Sequence, residues 1–277
     1  MSGVWIMAGI TWREALRRKI LWTALVAGAL LLAVFAVAMH LQVVEFQGRA
    51  MSPFVRYQVE AGMLMIGLYT CDLLAVVLTI LTSIDTIAGE ISSGTIHAIA
   101  TKPIARWQIM AGKFLGFVAM IAAYVAVTFA ATIWVAHATT GVLPQHAVLG
   151  YLLIVFECVI ALALTFMFGT WFSTLTNGVL VLGLQGVAFM GGWLEQVSGF
   201  SQSVHIVTLG IASSLLMPGE SVWRRSAYEM QTQLAGSLSF SPFANVSIPS
   251  LLAMGYAAVY LLVAFGIAIW HFQRRDL

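Results

Sequence analysis

Long apolar runs alternate with short polar breaks along the whole chain. Read with a window of about 19 residues, the runs fall at Ile20–His40, Gly62–Ile84, Phe114–Ala136, Val148–Trp171, Val179–Val197 and Leu251–Trp270. A helix needs about 20 apolar residues to cross a hydrocarbon core about 30 Å thick. The pattern therefore predicts an all-α membrane protein with six transmembrane helices, forming a single domain over residues 1–277. A seventh apolar stretch, Ser203–Met217, would cover only about 22 Å as a helix. It is read as an outer-surface or re-entrant helix. With the Ser-rich, turn-rich residues after it, it makes a long outer loop with short helices between the fifth and sixth spans.

Composition agrees with this reading. Charged residues are 9% of the chain and hydrophobic residues 61%, against about 25% charged in a soluble domain, and the mean hydropathy is +0.95. The formal charge of +2 is small and dispersed, which disfavours nucleic acid as a partner. The first run is longer than a signal-peptide core and has no small-residue cleavage site after it, so it predicts an uncleaved span.

The cations set the orientation. Arg13, Arg17, Arg18, Lys19, Lys102, Arg106, Lys113, Arg274 and Arg275 fall on one side, and Arg49, Arg56, Arg224 and Arg225 on the other. Positively charged loops stay in the cytoplasm. Both termini are thus predicted to be cytoplasmic in a multi-pass protein of the cell (inner) membrane.

Catalytic signatures are missing. There is no His-Glu-x-x-His, no Gly-x-Ser-x-Gly, and no Gly-x-Gly-x-x-Gly after a strand. The segment "GEISSGT" imitates a phosphate-binding loop but lacks its lysine. Cys71, Cys158 and the scattered histidines show no ligand spacing. No catalytic residue, metal site or directly bound cofactor is expected. Two carboxyls stand inside spans, Asp72 and Glu157. Each costs about 2.5–3.5 kcal/mol at a helix centre, so it should face protein or water. Counted from the outer ends of their spans, both lie about 14–15 Å deep. They read either as a polar patch in a pathway or subunit interface, or as structural hydrogen bonds between helices.

Two polar segments remain. Before the first span, Trp5, Ala8, Trp12, Ala15 and Leu16 share one helical face and Arg13, Arg17 and Arg18 another, which predicts a helix lying in the membrane interface. Between the second and third spans comes "DTIAGEISSGTIHAIATKPIARWQIMAGK". It contains a short helical pattern over Ile91–Ala100 with Ile91, Ile96 and Ile99 apolar, then a Lys102-Pro103 break. A short apolar helix in the cytoplasm reads as a docking element.

Glu90, Gly94-Thr95-Ile96, Pro103-Ile104-x-Arg106 and Gly112-Lys113 occur in the order found in type-2 permease subunits of ATP-binding-cassette transporters, which this chain resembles. "WREALRRKILW" and "FQRRDL" also resemble the ends of that family. Its members often carry a second acid where Ser92 and Ser93 stand here. The resemblance implies that the N-terminal helix is an elbow helix and that the stretch after span two is a coupling helix. Glu90, Gly94, Thr95, Ile96, Ile99, Pro103 and Arg106 would then engage a partner ATPase. It further implies an exporter built from two permease subunits, alike or not, and a dimer of ATPase subunits that use ATP and Mg. An ion-coupled secondary transporter is the alternative, disfavoured by the lack of a visible inverted repeat.

Overall fold

A computed structural model describes residues 3–17, 19–47, 52–92, 105–201, 204–231 and 248–274. Every element formed by these residues is helical: α1 (Gly3–Arg17), α2 (Lys19–Gln47), α3 (Pro53–Ser92), α4 (Arg106–Thr140), α5 (Ala147–Gly169), α6 (Thr174–Ser201), α7 (Val204–Leu216), α8 (Gly219–Met230) and α9 (Leu251–Arg274). Six of them, α2 to α6 and α9, are long and apolar enough to cross a membrane.

The helices overrun the apolar runs that predicted them. The second span was expected at Gly62–Ile84, yet α3 is continuous over 40 residues. That is about 60 Å of helix, twice the hydrocarbon thickness. Hydropathy registers only the part that sits in lipid, whereas backbone hydrogen bonding continues into polar sequence. Consequently Asp85 and Glu90 stand on the span helix itself, and the described chain shows no break before Ser92.

Helix α5 is the axis of the bundle. Ile160 to Leu164 are all essentially inaccessible, and α3, α8 and α9 make their main contacts with it. By contrast α2 and α9 bury little and present Val26, Leu30, Val34, Leu252, Val259 and Leu262 outward. Such unrelieved apolar faces suit hydrocarbon rather than water.

The N-terminal helix differs from expectation. Its buried face is Met7, Ala8, Thr11 and Ala15, whereas Trp5 and Leu16 are exposed. The apolar stripe is therefore split: Ala8 and Ala15 turn inward, Trp12 packs part-buried against the core, and Trp5 and Leu16 face outward. The inward half lies on α4, where Gly112 and Gly116 leave room for it. A β-carbon on Gly112 would stand 2.4 Å from Met7 Cβ, and one on Gly116 2.7 Å from Thr11 Cβ. Glycines four residues apart allow two helix backbones to touch.

The stretch 204–216 is a helix of 13 residues, too short to span, in line with the length argument. Its C-terminal carbonyls are capped from α9: Tyr256 Oη donates to Leu215 O at 2.5 Å and Tyr260 Oη to Leu216 O at 2.8 Å. A helix that stops where water is scarce needs such donors. Helix α8 then runs back along α5, with Ser226 Oγ donating to Gly150 O at 3.0 Å. Short helices were expected in this loop, but the sequence reading did not place one at 219–230.

Candidate functional site

Two groups of polar residues are candidates, one at each end of the bundle. At the end where α3 stops and α4 starts, Glu90 and Lys113 form a buried ion pair. Their side chains retain 18% and 4% exposure, respectively. They are the first acid of the motif and the lysine of Gly112-Lys113, brought together across 23 positions of sequence. The segment 93–104 that joins α3 to α4 is thereby bracketed by an ion pair at its base. Gly94, Thr95, Ile96, Ile99 and Pro103 lie outside the described residues.

Arg106, at the first residue of α4, donates from Nη1 to Gln273 O at 3.4 Å in the last turn of α9. Cations are favoured there by the partial negative charge of the helix end. Close by, Thr174 Oγ1 donates to Asp85 Oδ1 at 3.2 Å. The Asn177 amide donates to Thr165 O at 3.0 Å and to Ile84 O at 3.4 Å. The start of α6 is thus tied to α3 and α5, beneath the same segment.

The second group lies toward the other end of the bundle and is more deeply buried. Asp72 on α3 and Glu157 on α5, both essentially buried, lie beside each other. Gln185 Nε2 on α6 donates to Glu157 Oε1 at 3.1 Å. Equal depth in the sequence permitted this pairing without requiring it.

The members missed by sequence reasoning come from α8. Glu220 and Arg224 are 6% and 3% exposed, in a segment whose polarity suggested a solvated loop. Glu220 faces Asp72 and Glu157. Burial first, and the nearby Asp72 carboxyl second, push the Glu220 carboxyl up to about 8, opposed by the Arg224 guanidinium. Arg224 reaches Glu195 of α6 at 2.5 Å. The four-residue spacing of Glu220 and Arg224, with Trp223 buried between them, was the available signal. It marks one face of an amphipathic helix.

Glycines again allow the approach. A β-carbon on Gly219 would stand 3.2 Å from Glu157 Oε1 and 3.4 Å from Gln185 Oε1, and one on Gly192 2.9 Å from Glu220 Oε1. Aromatic rings close the group on one side. Tyr69 packs on Trp223 with ring centroids 4.9 Å apart.

Together these groups describe a helical bundle with a polar joint at one end and a buried carboxyl cluster beside α8 at the other. No group of nucleophile, base and oxyanion donors occurs among the described residues. No curated protein matches the sequence. Six helices apt to cross a bilayer and a polar joint flanking residues 93–104 suit a transporter subunit, and residues 5–277 match the family model for ABC-2 family transporter proteins. The chain belongs to that family and is a multi-pass membrane permease subunit of an ABC transporter.

Proposed function

We propose that the chain is the membrane half of an ABC exporter of the cell (inner) membrane, with both termini in the cytoplasm, driven by a dimer of separate ATPase subunits that consume ATP and Mg. Residues 93–104 are the docking element, with Gly94, Thr95, Ile96, Ile99 and Pro103 toward the ATPase. Glu90 and Arg106 hold its two ends. A second permease, identical or related, completes the translocation path.

The observation that carries this reading is the Glu90–Lys113 ion pair at the base of the segment. It fastens the end of α3 to the start of α4, so a push on the intervening residues moves two spans together rather than fraying a loop. Through Gly112 and Gly116 the same push reaches α1, which moves as part of the α4 unit. Helix α1 then acts as the elbow helix, its exposed Trp5 and Leu16 facing headgroups and acyl chains. Asp72 and Glu157 line the path where α8 closes it on the outer side.

Purification of the tagged chain tests the coupling. An ATPase subunit should accompany it and be lost when Gly94–Ala100 is replaced by a flexible linker of equal length. ATP-independent transport by the isolated chain, driven by an ion gradient, would replace this reading with the secondary-transporter one.

A further inference from the structure

The outer half of the bundle holds more buried acid than its bases can balance. Among the described residues, Asp72, Glu157, Glu195 and Glu220 are brought to one region, with Arg224 as its cation. Arg224 is already engaged with Glu195. Three carboxyls are left with one amide donor, from Gln185. Apart from Glu195 Oε2, which meets Arg224, the buried oxygens without a hydrogen-bond donor are Asp72 Oδ1, Glu157 Oε2 and Gln185 Oε1. The last is a neutral amide oxygen, itself nine-tenths buried and turned toward Gly219 beside Glu157. Around Asp72, Glu157 and Gln185 the missing partner is hydrogen, whereas Arg224 Nε, on the Glu195 side, lacks an acceptor.

We propose that Asp72, Glu157 and Glu220, with Gln185, form a proton-binding site that is loaded while α8 is seated and unloads to the outside when α8 lifts. Like charges in a dry site cannot all ionise together, because each raises the cost of the next. Two ionised carboxylates are acceptors only, so neighbouring carboxyls can satisfy each other only by taking up a proton. The residues leave little space for anything larger: Gly219 roofs Glu157 and Gln185, and Gly192 lies against Glu220. Loading is a simple transfer, in which a hydronium ion in the outer water gives its proton to a carboxylate and becomes water. Unloading reverses it, with no change of oxidation state.

The moving part is α8, because Glu220 is the one carboxyl of the three that lies outside the spans. With α8 seated, Glu220 faces Asp72 and Tyr69 of α3, with Cys71 beside Asp72. From α5 it faces Glu157, with Cys158 adjacent, and on its own helix it meets Arg224, which is tied to Glu195 of α6. Lifting α8 would put Glu220 in water, where its carboxyl returns to 4.5. Protons therefore favour the closed outer face. The link to export rests on the permease reading, whereas proton occupancy does not and can be measured on the chain alone.

The test is infrared spectroscopy of the full chain in lipid nanodiscs at about pH 6 and about pH 9. Wild type should show protonated-carboxyl C=O bands at the lower pH that shift in heavy water and fade at the higher one. Glu157→Gln and Glu220→Gln should each remove a component, and in Glu220→Gln the remaining bands should fade at a different pH. The amide imitates a protonated acid, so both variants should keep the wild-type circular dichroism spectrum. Asp72→Asn is a third, independent removal. Bands absent at about pH 6, or unchanged in both Gln variants, would overturn the proposal. So would their loss on adding Na⁺ in place of choline at fixed pH, which would assign the site to a metal cation. Failure of the ATPase to co-purify would leave the infrared result standing and remove only its connection to export.

Discussion

Gly112 and Gly116 give a sharp test of the α1–α4 crossing because the structure fixes both the sign and the size of the effect. Alanine at Gly112 would put a methyl carbon 2.4 Å from Met7 Cβ and 2.7 Å from Val4 O, and at Gly116 2.7 Å from Thr11 Cβ and 2.9 Å from Ala8 O. Carbon atoms prefer separations of about 3.5–4.0 Å, so α1 must retreat by roughly 1 Å. Overpacking of this kind costs about 1–3 kcal/mol. The atoms in the way are backbone and β-carbons, which cannot swing aside, so the upper part of that range applies. Alanine returns about 1 kcal/mol in helix propensity. The net loss should be about 1–2 kcal/mol per site, from the difference of the two terms.

Gly9 and Gly62 are built-in controls. Both are helical, and neither has a heavy atom within 4 Å of the position a β-carbon would take. Alanine there should be neutral or stabilising by up to about 1 kcal/mol. Thermal unfolding of the purified chain in one detergent compares all four. The Gly112→Ala, Gly116→Ala double variant should lose less than the sum, since one retreat of α1 relieves both clashes. Stability at or above wild type for Gly112→Ala and Gly116→Ala would refute the close crossing, and with it the idea that α1 and α4 move as one body.

Other outcomes follow from the same structure. Lys113→Ala should destabilise by about 2–3 kcal/mol, below the 3–5 of a fully buried pair because Glu90 keeps some solvent contact, and the Glu90→Gln, Lys113→Met double variant should recover most of it in the same assay. Tyr256→Phe leaves Leu215 O without its donor and should cost about 1 kcal/mol, read as faster proteolysis at the end of α7. Glu220 holds its proton more tightly when α8 is seated, so closure is fully favoured below about pH 4.5 and weakens as pH rises toward about 8, with no further change above. Labelling of a cysteine introduced at Trp223 should therefore quicken across that window, and the acceleration should vanish in Glu220→Gln. Asp72→Asn and Glu157→Gln should lower ATP-driven export more than they lower the unfolding temperature; the opposite ranking would make them structural.

What the sequence determined by itself was the set of spans, because lipid imposes one requirement on every segment regardless of its neighbours. Twenty apolar residues in a row satisfy it, and no knowledge of packing is needed. The shortness of the helix at 204–216 was legible for the same reason. The order Glu90, Gly112-Lys113 was visible too, but as a family pattern.

Tertiary structure decided which residues meet. That Glu90 pairs with Lys113, that Gly112 and Gly116 seat Thr11 and Met7, and that Glu220 and Arg224 belong under the bundle rather than in a watery loop all depend on which helices adjoin. Hydropathy describes how a residue prefers its solvent. It carries no information about the partner across an interface, and inside a bilayer, where every helix exterior is equally apolar, close contact is selected by small residues and a few polar groups. Those are the positions a hydropathy pattern sees least.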